Sequence, residues 1–81
     1  VTTTTHLANG VRCDIHAPDG VKNARAFTLR FTDRHDALMA TSKWDSLARR
    51  YAIEWFPAAK LDRALCDTIA DYARDFWEAA K

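Results

Sequence analysis

Three histidines, two cysteines and eleven carboxylates are the groups in this chain that could do chemistry, and their spacing decides what chemistry is open to them. Cys13 and His16 suggest a metal pair. On an extended chain, however, residues three apart point to opposite faces, so these two cannot grip one ion without a bulge. His6 and His16 do fall on one outward face, with Arg12 and Asp14 between them. No third ligand of suitable type accompanies them, so the expectation is surface titratable groups rather than a metal or an acid–base pair. His35 belongs to the first turn of an expected helix and should face solvent. There is no G-x-S-x-G elbow, no cysteine with a locally placed base and no glycine-rich phosphate loop. Since 81 residues leave little mass for a water-excluding cleft, we nominate no catalytic residue, metal ligand or cofactor, and expect a protein that binds rather than catalyses.

The elements that must position these side chains read first as strands. Residues 2 to 8 and 11 to 17 flank Asn9-Gly10, and residues 24 to 32 alternate through Phe27, Leu29 and Phe31. For the first hairpin, a two-residue loop would turn Leu7 onto the polar face. A three-residue loop, Ala8-Asn9-Gly10 with Gly10 left-handed, pairs Leu7 with Val11 and Thr5 with Cys13, so Leu7, Val11, Cys13 and Ile15 point inward. The second turn, at Pro18-Asp19-Gly20, would pair Val11 with Phe27 but bring Arg25 inward opposite Cys13, which a bulge or a longer loop through Asn23 relieves.

Beyond Phe31 the pattern predicts two helices. Thr32 and Asp33 are N-cap types, and at 100° per residue Ala37, Ala40, Trp44, Leu47, Ala48, Tyr51, Ala52 and Trp55 form one stripe that runs to Pro57. A break at Thr41-Ser42, with residues 34–41 as a separate element, is the alternative. Residues 60 to 80 carry Leu61, Leu65, Ile69, Tyr72, Phe76 and Ala80 on one face of a second helix, joined to the first by a short connection through Pro57. The expected fold is therefore α+β: a three-stranded antiparallel meander followed by two helices packed on one face, a single domain over residues 1–81.

Binding residues are sought among side chains this arrangement leaves over. Ile53 sits opposite the first helical stripe, Phe56 lies at its edge and Trp77 flanks the apolar arc of the last helix, so these three are the expected interface anchors. Asp67, Asp71, Asp75 and Glu78 form an acidic row that would dock on a basic surface. Three strands followed by a helix, over residues 1 to about 56, is also similar in layout to the arm-binding domains of tyrosine recombinases. That resemblance implies contact with duplex DNA through an outward row of Arg12, Lys22 and Arg30. In size and lack of motifs the chain further resembles the stand-alone inhibitors of phages and mobile elements, anti-CRISPR proteins among them. This implies an inhibitor or adaptor bound to a larger protein or nucleoprotein complex. Self-association through Trp77, Ile53 or Phe56 is the third expectation.

Composition sets the outer limits. With 48% apolar and 28% charged residues, 2 Gly and 2 Pro, disordered, collagenous and coiled-coil classes are excluded. No apolar run approaches the roughly 18 residues of a membrane span. The Thr-rich start lacks the basic and greasy segments of a signal peptide, and Cys13 and Cys66 stand without a CxxC, so both are expected as buried thiols of a cytoplasmic protein. Charge divides mildly: residues 1–60 hold nine Lys/Arg against six Asp/Glu, and residues 61–81 three against five.

Overall fold

The computed structural model describes residues 2–20, 22–56 and 62–80. Strands β1 (Thr2–His6) and β2 (Arg12–His16) form an antiparallel hairpin in which Thr5 faces Cys13 and His6 faces Arg12. The N–H of Leu7 donates to the carbonyl of Val11 at 2.8 Å, the register that inward burial of Leu7 requires. Both Asn9 (φ 61°) and Gly10 (φ 76°) are left-handed, one residue more than the loop type demands of Gly10; asparagine is one of the few other residues that tolerate this conformation.

The third strand, β3 (Thr28–Thr32), starts later than the alternation over 24–32 suggests. A tight turn at Pro18-Asp19-Gly20 would bury Arg25, and an unpaired buried guanidinium is costly. The chain takes the longer route instead. The Asn23 Oδ1 accepts the N–H of Arg25 at 3.0 Å and closes a single 3-10 turn over Ala24–Ala26, so that Phe31 meets Cys13.

The largest departure lies in residues 34–56. They form no helix: β4 (Leu38–Asp45) and β5 (Arg50–Trp55) extend the sheet as a second hairpin, giving five antiparallel strands in the order β1-β2-β3-β4-β5. The sequence satisfies two periods here. The helical stripe through Trp44, Tyr51 and Trp55 is also a strand pattern, with Ala40, Ser42 and Trp44 facing Trp55, Ile53 and Tyr51 in register. Thr41, Trp44, Tyr51, Ile53 and Trp55 are strand-favouring types, and Ile53, opposite the stripe in a helix, joins the inward face in a strand. Residues of helix-capping type serve turns here, Asp33 among them. Asp33 Oδ1 accepts the N–H groups of His35 and Ala37 at 2.8 and 2.9 Å, and Asp45 Oδ1 those of Leu47 and Ala48 at 3.0 and 3.2 Å. An aspartate bonds its own backbone equally well in an Asx turn and at an N-cap, so the residue type alone does not decide between them. Leu47, assigned to the inward stripe, sits at the hairpin tip with 97% of its surface exposed.

Among the described residues one α-helix follows, α1 (Arg63–Ala79), capped by Asp62, whose Oδ1 accepts the N–H of Leu65 at 2.8 Å. Leu61 and the connection through Pro57 lie outside the described residues. The helix buries Ile69, Ala73 and Trp77 against Val11, Cys13, Leu29, Phe31, Met39 and Ala40. Leu65, Tyr72, Phe76 and Ala80, expected on the apolar face, pack around this centre half-buried. Between Phe31 and Thr32 the β3–β4 register shifts, Phe31 facing Ala40 and Thr32 facing Leu38. The extra residue is Met39, which turns into the core beside Ala40 as a bulge permits. No described helix is long and apolar enough to cross a membrane.

Candidate functional site

Cross-strand registers sort every strand residue onto one of two faces. The covered face carries Thr5, Cys13, Phe31, Ala40 and Trp55 in one row and Thr3, Ile15, Leu29, Ser42 and Ile53 in the next. The opposite face carries Thr4, Asp14, Arg30, Thr41 and Glu54, flanked by rows containing His16, Lys43 and Arg12. Charges of both signs therefore alternate across the open face.

This arrangement redistributes the expected binding residues. Trp77 is 1% exposed. Its Nε1–H donates to Ser42 Oγ at 2.9 Å, and the Ser42 hydroxyl donates to the carbonyl of Ala52 at 3.0 Å. Trp44 and Phe76 pack on its ring at centroid distances of 6.2 and 4.9 Å. Trp77 is thus a core residue and cannot anchor a partner, because the small side chains beside it on the helix let it sink onto the sheet. Ile53 lies half-buried on the covered face of β5, and Phe56 half-buried just beyond that strand, its N–H donating to the carbonyl of Met39 at 2.9 Å. Asp67, Asp71, Asp75 and Glu78 are exposed on the outer side of α1. Arg63 lies 3.9 Å from Asp67, and Arg74 lies 3.6 Å from Asp71 and 3.4 Å from Asp75, so cations of the same helix accompany most of the row.

The outward row of cations does not form as a unit. Arg12 lies 3.6 Å from Asp14 and 3.2 Å from Asp36, Arg30 stands directly opposite Asp14, and Lys22 is exposed in the connection before β3, off the sheet. His6 and His16 are exposed, His16 Nδ1 lying 3.3 Å from the Thr2 hydroxyl. Among the described residues no three His, Cys, Asp or Glu side chains cluster as metal ligands. Burial, aided by the nearby Asp14 charge, pushes the Cys13 thiol up to about 12, leaving it protonated and inert at neutral pH. Cys66, expected buried, is only half-buried on α1.

Among the described residues the sheet has two edge strands, β1 and β5, and β5 is the one with apolar side chains. Among the described residues β5 pairs with β4 and with no second strand. Ala52 C=O takes a bond from Ser42 of β4, and the N–H of Phe56 reaches Met39 of the same strand. Because backbone groups alternate sides along a strand, residues 52, 54 and 56 address β4, and the N–H and C=O groups of Tyr51, Ile53 and Trp55 address the free edge. The side chains of the same three residues lie on the covered face at the margin of the core, Tyr51 and Ile53 half-buried and Trp55 38% exposed. Sequence reasoning named Ile53 and placed Tyr51 and Trp55 in a helical core. The alternation Tyr51-Ala52-Ile53-Glu54-Trp55 was the signal that could have found the strip. Comparison with known proteins gave no matching family model, no matching curated protein and no matching solved structure.

Proposed function

We propose that this chain is a protein-interaction module that captures an extended segment of a partner protein along β5, and acts as an adaptor or inhibitor through that capture. The observation that carries this reading is the coincidence, on Tyr51, Ile53 and Trp55, of backbone groups without a strand partner among the described residues and a half-exposed apolar strip. A strand added at such an edge gains main-chain hydrogen bonds, and its alternate side chains cover the strip. The other edge, β1, offers an open backbone too, but its Thr2–His6 side chains are polar throughout. The occupant that fits β5 is an extended peptide with apolar residues at every second position. Ile53 remains a contact residue in this reading, joined by Tyr51 and Trp55, whereas Phe56 addresses β4 and lies off the strip.

The test is selection from a library of alternating peptides, followed by backbone amide mapping of the complexes. Amides 51, 53 and 55 should exchange rapidly in the free protein and become protected when peptide binds, while amides 52 and 54 are protected throughout. Trp55→Pro, which removes an edge N–H without touching the β4 ladder, should weaken binding more than Trp55→Ala. Selected peptides that protect amides elsewhere, or that bind both variants alike, would refute the proposal.

A further inference from the structure

A second feature lies at the end of the sheet where the 22–27 connection meets the β4–β5 turn. Asn23, Arg25, Ala26, Trp44, Ser46 and Arg49 line an open cleft of about 640 Å³ there. Segments 22–27 and 43–50 together hold five cations, Lys22, Arg25, Lys43, Arg49 and Arg50, against one carboxylate, Asp45. That carboxylate is engaged with the backbone of its own turn. The guanidinium carbon of Arg25 lies 4.5 Å from the centre of the Trp44 ring. Arg12, Arg63 and Arg74 all lie beside carboxylates, whereas among the described residues neither Arg25 nor Arg49 has a carboxylate within 4.0 Å.

We infer that this cleft binds single-stranded nucleic acid, with Arg25 and Arg49 on successive backbone phosphates. Arginine suits the task because its planar fork matches phosphate oxygens, and a guanidinium already held 4.5 Å over an indole ring loses little freedom on binding. Arg25 is exposed beside Trp44, and a guanidinium there offers a nucleobase a cationic partner for stacking. Lys22, in the same connection as Arg25, and Arg50, beside Arg49 and Trp44, extend the positive field beyond the cleft, so a polymer gains more than a lone anion does. Asn23 sets the position of Arg25 through the turn it caps. The site is separate from the β5 edge in its residues and in its ligand, so either proposal can fail alone.

The test is fluorescence anisotropy of a labelled 20-nucleotide oligothymidylate against the whole chain, from 50 to 200 mM salt. With about three phosphates neutralised, affinity should fall about twentyfold over that range, and about sevenfold once one cation is removed. Arg25→Gln and Arg49→Gly, the second chosen because glycine suits the left-handed backbone at φ 56°, should each weaken binding about tenfold at 50 mM salt with thermal unfolding preserved. Arg63→Ala, on the far part of α1 beside Asp67, should leave binding unchanged, as should Trp55→Pro. Equal binding by the cleft variants and the parent would overturn the inference. So would a dissociation constant above about 1 mM at 50 mM salt, or displacement of the oligonucleotide by equimolar inorganic phosphate or polyglutamate.

Discussion

Replacing Ser42 by alanine tests whether Trp77 holds the core together or waits for a partner. The side chain is buried, and its hydroxyl links the Trp77 indole to the carbonyl of Ala52 through contacts of 2.9 and 3.0 Å. Alanine fits the space but strands the indole N–H, and a buried donor without a partner costs about 1–3 kcal/mol. For a domain of this size, each kcal/mol lowers the midpoint by about 4–8 °C, so the central expectation of about 2 kcal/mol is a drop of roughly 8–16 °C. Trp77→Phe removes the donor itself, along with part of the ring. In that background Ser42→Ala strands nothing on the indole side, and its cost should fall by about 1 kcal/mol, which a double-mutant cycle reads directly. Urea unfolding followed by far-ultraviolet circular dichroism gives all four free energies, with similar denaturant slopes if the folded states are alike. Were Trp77 a surface anchor, both single variants would stay within about 0.5 kcal/mol of the parent. That result, or a cost of Ser42→Ala that is the same with and without Trp77→Phe, would refute the buried link.

The two thiols should differ. At pH 8 a disulfide reagent should label Cys66 in the native protein and reach Cys13 only on unfolding. Because the Cys13 thiol is raised from 9.0 to about 12 on folding, its contribution to stability is intact below pH 9 and is lost as pH rises from there towards 12, a loss that Cys13→Val should reduce in alkaline titrations. At Asp33 the sign is opposite: the N–H groups of Ala37 and His35 hold its carboxyl below the ordinary 3.8. Asp33→Ala should therefore lower the urea midpoint at neutral pH, with the gap closing as pH falls below 3.8 through the lower folded value. Gly10→Ala should destabilise more than Gly20→Ala. Both positions are left-handed, at about 1–2 kcal/mol for a side chain, but a Cβ at Gly10 would also meet Arg34 Cβ at 3.3 Å while one at Gly20 meets nothing within 4 Å.

Local chemistry determined the parts of this protein in which one conformation satisfied every demand. Burying Leu7 fixed the β1–β2 register before any partner strand was considered, and the amphipathic run ending at Ala80 could only be a helix. Tertiary structure decided the stretch from Leu38 to Trp55, because Ala40, Trp44, Tyr51 and Trp55 satisfy a period of 3.6 and a period of 2 alike. Extending the sheet lets Ser42 meet both Trp77 and Ala52 across 35 and 10 positions of sequence, a gain that no window of local residues contains. The same choice moved the candidate site. With β4 and β5 in place, Trp77 sinks into the core, Tyr51 and Trp55 come to an open edge beside Ile53, and Arg25 settles on Trp44. Residue types and spacing set which groups were present; which of them reach solvent together depended on long-range strand pairing, whose energy is invisible along the chain.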